Sequence, residues 1–197
     1  MKTPMSIKSI TIKTVAIFLL GIASTGCGNN AKTEDSKEVA EEHNEAKFDE
    51  SKREKDAQFL VEAAGINLEE IHLAHLARQS GKKADVKDLA KMMEESHQKA
   101  LNDLNVLAMK KTITVPTTQT DESNKAYKEL SGKEGKDFDK AYCDMMVKGH
   151  KDAIEKFQTE ASEGQDEDIK AWAQTMLPVL RTHLDHAMTC QKKCENM

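Results

Sequence analysis

The sequence predicts an all-α protein: four long helices in a bundle, with a long connection between the second and third. Three observations point there. Aromatic residues make up only 4% of the 197-residue chain and charged residues 32%, with 3 Pro and 9 Gly. That composition suits long amphipathic helices and supplies few of the turns and aromatic strands of a β-sandwich. Apolar residues recur at alternating steps of four and three over four separate stretches. Each of those stripes is broken once, near its centre, by an ionisable side chain.

Residues 1–26 read as an export signal. Lys2, Lys8 and Lys13 precede an apolar run from Thr14 to Ala23. A run of about ten residues is too short for a bilayer core of about 30 Å and matches the apolar segment of a signal peptide. Small residues then lead through Ser24-Thr25-Gly26 to Cys27. This resembles the lipobox of bacterial lipoproteins, in which the cysteine becomes the lipidated first residue. Gly26 fits that pattern, and Ser24 departs from it. The expectation is a lipid anchor on Cys27 and a place in the cell envelope, at the outer membrane or in the periplasm. The alternative is an ordinary cleaved signal with Cys27 an incidental thiol.

Residues 27–55 carry mixed charge, with Val39 and Phe48 almost the only large apolar side chains. The expectation is a disordered tether, with His43 solvated. Taking Lys2, Lys8 and Lys13 from a net charge of −5 leaves a mature chain near −8. That sign repels phosphate backbones and argues against nucleic acid as a partner.

The helical domain is expected over residues 56–193, followed by a short tail, 194–197. Its first helix spans 56–80 and stops at Gly81, a C-cap residue. Phe59, Ala63, Ile66, Leu73 and Ala77 form the seam, and Glu70 occupies its open position. The second, 84–111, has Val86, Ala90, Met93, Leu101, Leu104 and Ala108, with His97 in the gap. A connection follows with a short helix near Asp121–Leu130. The third, 137–163, sets Cys143, Met146, Ile154, Phe157 and Ala161 around His150, and Gly164 closes it. The fourth, 166–193, sets Trp172, Met176, Val179, Ala187 and Cys190 around His183, with Pro178 inside it.

Glu70 and His97 are equidistant from the first turn, and His150 and His183 from the last. Antiparallel neighbours so placed lie at one height, so the four residues should meet in a central layer. Burying a carboxyl and three imidazoles is costly without partners, and metal coordination is one way to satisfy them. Glu94, three residues before His97, has the spacing by which some metal-binding bundles present two ligands from one helix. His186 follows His183 by the same step. The candidate ligands are therefore Glu70, Glu94, His97, His150, His183 and His186, and their oxygen and nitrogen donors suit iron, zinc or manganese. Met93 and Met146 leave copper open as a lesser choice, although methionine at seam spacing is ordinarily core filling. The alternative to a metal is a hydrogen-bonded core network that responds to pH. His72 and His75 point away from Glu70 and read as surface residues.

Export permits disulfides. Cys143 lies seven residues before His150 and Cys190 seven after His183, which puts both on facing seams two turns from the layer. A Cys143–Cys190 disulfide is expected, with Cys194 the second choice of partner; the alternative is that these are small core residues. Phosphate loops, Ser-His-Asp arrangements and zinc-type Cys pairs are not found, so no catalytic activity is supported. Met92-Met93-x-x-x-His97-x-x-Ala100 returns as Met145-Met146-x-x-x-His150-x-x-Ala153, a weak internal repeat that duplication of a helical hairpin would explain.

Several stretches resemble the domain-of-unknown-function family 4142, exported bacterial proteins often described as predicted outer-membrane proteins. They are Phe59-Leu-Val-Glu-Ala-Ala, Glu70-Ile-His-Leu-Ala-His-Leu-Ala77 and Val86-Lys-Asp-Leu-Ala-Lys-Met-Met-Glu-Glu-Ser-His97. Asp137-Phe-Asp-Lys-Ala-Tyr-Cys-Asp-Met-Met-Val-Lys-Gly-His150 and Leu177-Pro-Val-Leu-Arg-Thr-His183 complete the set. The resemblance implies a ferritin-like bundle with the same central Glu and His positions, and it supplies no activity. Cys143, Cys190, Cys194 and Ser96 depart from the family pattern. An envelope metal-binding protein is the first expectation, a non-enzymatic module that binds a protein partner through its surface helices the second, and a redox enzyme the third.

Overall fold

The computed structural model describes residues 34–48 and 52–195, and these form six helices with no strand among them. They are α1 (Ser36–Glu45), α2 (Lys52–Ser80), α3 (Ala84–Lys111), α4 (Asp121–Ser131), α5 (Gly135–Glu163) and α6 (Glu167–Glu195). The long helices keep the expected bounds within a turn. Pro178 lies inside α6 without ending it. The helix also runs through Cys194, where a tail was expected. The signal and lipidation readings fall on residues outside those described. Among the described residues, no helix is long and apolar enough to cross a membrane.

α2 pairs with α3 and α5 with α6, as two helical hairpins, and the hairpins meet along α2–α5 and α3–α6. Their directions follow from the contacts at the ends. Asp56, at the start of α2, accepts from the backbone N–H groups of Gln165 and Asp166 in the α5–α6 turn. Asp139, at the start of α5, accepts from those of Lys82 and Lys83 in the α2–α3 turn. Each hairpin's turn therefore sits at the other hairpin's open end, and α3 and α5 run parallel. The connection between them has to travel the length of the helices. It does so along α2, with α4 lying on that helix. Thr120 starts α4 by accepting from Ser123 N–H at 3.1 Å.

Two apolar clusters fill the interior, one on either side of the central polar layer. Leu73, Val86, Met93, Phe138, Tyr142 and Met146 belong to the first, at the α2–α3 turn. Phe59, Leu60, Leu104, Phe157 and Ile169 belong to the second. Phe59 meets Phe157 and Trp172 edge to face there, with Phe59 and Phe157 centroids 4.9 Å apart, and Phe157 and Trp172 pack tilted.

The tether expected over 27–55 is corrected in part. Asp35 caps α1 by accepting from Lys37 N–H, and Ala40 and Asn44 are buried. Asn44 does what the sparse apolar content cannot: its amide bonds both ways with the Thr114 backbone, accepting at 2.9 Å and donating at 2.8 Å. That anchor fastens α1 to the segment after α3. His43 is exposed, as expected.

Candidate metal centre

Each long helix contributes one side chain to the layer between the two apolar clusters. Glu70 from α2, His97 from α3, His150 from α5 and His183 from α6 are all buried, none more than 5% exposed. The imidazole centroids lie 5.1–5.5 Å apart. One ring nitrogen from each histidine falls within 4.8 Å of the others.

The hydrogen bonds fix which nitrogens face inward. Asn67 donates its amide N–H to the Ala63 carbonyl at 2.7 Å, so its Oδ1 accepts from His97 Nδ1–H at 3.0 Å. His150 Nδ1–H donates to the Met146 carbonyl at 2.9 Å. Both rings are thereby held with bare Nε2 atoms, the arrangement that backbone and amide acceptors commonly impose on metal-binding histidines. His150 Nε2 lies 3.2 Å from His183 Nδ1. Two nitrogens at about 2.0–2.1 Å from one tetrahedral ion would stand about 3.3 Å apart.

His97 Nε2 and Glu70 Oε2 are buried without a hydrogen-bond partner. Each such orphan costs on the order of 1–3 kcal/mol. Burial holds all three histidines neutral. It pushes His97 well below the ordinary imidazole range, helped by His150 and His183, and brings His150 and His183 each to about 4. Burial, with Glu69 nearby, also raises the Glu70 carboxyl well above the carboxylate range. Glu70 Oε1 stands 3.5 Å from His150 Nδ1, and with the His150 imidazole neutral this contact is not an ion pair. Gly149 makes the space for it, since a Cβ there would come within 3.2 Å of Glu70 Oε1.

Two of the six candidate ligands stand outside the cluster. Glu94 bonds Arg78 at 2.5 Å and lies 3.5 Å from His75 across the α2–α3 face. His186 is exposed. The reason is angular: a step of three residues turns about 60° around a helix, enough to move a side chain from the seam to its edge. His75 is exposed as expected, but His72 is half-buried beneath α4, stacked on Tyr127 with centroids 4.1 Å apart. Sequence reasoning missed Asn67 and Gly149. An amide on the apolar face one turn before Glu70 was the available signal for Asn67; Gly149 gave none.

A second group of donors lies toward the α2–α3 turn. Cys143, Cys190 and Cys194 are free thiols here, all buried. Cys143 donates to Cys190 Sγ at 2.9 Å and stands 3.9 Å from Cys194 Sγ. The two cysteines expected to pair are thus in contact, with the third beside them.

No curated protein and no solved structure matches the chain. The profile of the family described as "Domain of unknown function (DUF4142)" matches residues 38–190, from α1 almost to the end of α6. The chain belongs to this DUF4142 family.

Proposed function

We propose that this protein is an exported envelope lipoprotein whose ferritin-like four-helix bundle binds a transition-metal ion through His97, His150 and His183, with Glu70 beside them. The observation that carries this reading is the pair of orphaned atoms. His97 Nε2 and Glu70 Oε2 are buried without partners in a layer where three neutral imidazoles converge. A network built only for hydrogen bonding would leave neither. His97 Nε2 and His150 Nε2 carry lone pairs, and His183 Nδ1–H, which donates to His150 Nε2 at 3.2 Å, would pass its proton to Nε2 for Nδ1 to join them. Nitrogen donors with one carboxyl suit zinc, iron or manganese. The parallel α3 and α5, joined by a connection the length of the helices, support the ferritin-like comparison.

Elemental analysis of the full-length protein, after exposure to zinc, iron and manganese, tests the reading against a Glu70→Ala/His97→Ala variant. Near-stoichiometric metal in the wild type and none in the variant is the expected result. Equal metal in both, or none in either, would leave the layer as a hydrogen-bonded core. The anchor is tested separately: a Cys27→Ser chain should lose its lipid mass and leave the membrane fraction.

A further inference from the structure

We propose that Cys143, Cys190 and Cys194 form a second metal site, a three-thiolate cradle for a soft cation such as Cu(I), independent of the histidine layer. Three sulfurs from two helices meet within 4.8 Å of one another. Cys190 and Cys194 stand one turn apart on α6, and Cys143 faces them from α5. The spacing suits an ion. Sulfurs about 2.3 Å from a shared trigonal ion stand about 4 Å apart, and Cys143 and Cys194 are 3.9 Å apart. The 2.9 Å contact to Cys190 would open by about 1 Å, a movement within reach of a cysteine rotamer.

Donor type and number select the ion. Structural zinc takes four ligands, whereas thiolates without oxygen or nitrogen donors favour Cu(I). The group found among the described residues has three sulfurs and no other donor. The neighbouring core is also rich in sulfur, with Met93 and Met146 in the same cluster.

A route in is visible. A surface cleft of about 580 Å³ reaches Cys190; Asp88, Asp185, His186 and Met92 line it, together with Asp85 and the Lys193 ammonium that pairs with it, so the carboxylates outnumber the cation. Carboxylates at a mouth concentrate cations, and a thioether and an imidazole beside the thiol offer intermediate ligands. Of the three thiols, Cys190 is the one that lines this cleft. Each thiol that binds as thiolate gives its proton to solvent. Copper enters as Cu(I), so no electron moves.

The test is anaerobic titration of reduced full-length protein with Cu(I) held by a chromophoric competing chelator. The wild type and His97→Ala should each withdraw one equivalent and show a thiolate-to-copper charge-transfer band. Cys190→Ser should lose both while keeping its helical circular dichroism; if that variant unfolds, Cys194→Ala takes its place. Folded wild type that withdraws no copper overturns the proposal. So does a folded cysteine variant that binds as the wild type does. A Cys143–Cys190 disulfide in the exported protein that excludes the cation, seen as a mass two hydrogens short, overturns it too.

Discussion

Asp56 and Asp139 perform the same task at opposite ends of the molecule, each closing the turn of the hairpin to which it does not belong. The correspondence extends along the chain: Gly81 and Gly164, which end α2 and α5, are separated by the same number of residues as the two aspartates. In both glycines a Cβ would strike the carbonyl oxygen four residues back, at 2.6 and 2.7 Å. Two charge-assisted bonds to backbone N–H groups make each aspartate worth about 2–3 kcal/mol. Asp56→Ala and Asp139→Ala should each lose that much in urea denaturation. The double variant should lose the sum, because the sites share no partner. A strongly sub-additive double variant would refute their independence.

Asn67→Ala removes no ligand, yet it should weaken metal binding about 10–100-fold by releasing the His97 ring to its other tautomer. A competition titration against a chelator of known affinity measures it. Unchanged affinity would mean that His97 needs no orienting partner.

Stability without metal should fall in mild acid. His150 and His183 sit at about 4 in the folded chain and His97 well below its ordinary value, against about 6.5 when unfolded. Below about 6.5 the unfolded state therefore takes up protons that the folded state refuses. The stability is fully present above that pH and is lost as pH falls toward 4. Glu70 works the other way, since its raised carboxyl lets the folded state keep a proton that the unfolded state releases above its ordinary range. His→Ala at 150 or 183 should flatten the acid limb, and Glu70→Gln should raise stability at neutral pH. Melting temperatures from pH 4 to 8 check both signs.

Thr112, at the end of α3, holds a left-handed backbone with φ of 57°. A β-branched residue is strained there. Thr112→Gly should stabilise the protein by about 1 kcal/mol, read as a higher denaturation midpoint with an unchanged slope.

The central layer was legible because it interrupts a strong signal. A buried stripe at steps of four and three has few tolerated gaps, and Glu70, His97, His150 and His183 fill the four that occur. Glu94 and His186 were misplaced because a spacing of three is compatible with the seam and with its edge; Arg78, in the last turn of α2, decided for the edge by pairing with Glu94. The path of the α3–α5 connection could not be read, since its length permits a surface loop as well as a full traverse. What decides it is the placing of Asp139 against the α2–α3 turn, a contact between distant segments with no local pattern. The order of α1 escaped for a similar reason: besides packing Ala40 inward, it is held by polar residues such as Asn44 and Ser36 whose partners lie far along the chain. The repeat seen around His97 and His150 relates α3 to α5, whereas the folded symmetry relates α2 to α5. Under that symmetry Asn67 corresponds to His150.

Because the layer takes one side chain from each of four helices, a single hairpin contains at most two of its four side chains. An ion held there would bind partly assembled chains far more weakly, so most of its binding free energy would act against global opening and little against local fraying. Amide hydrogens of α2, α3, α5 and α6 would then exchange more slowly by a common factor when the ion is present, while those of α1 kept their rate.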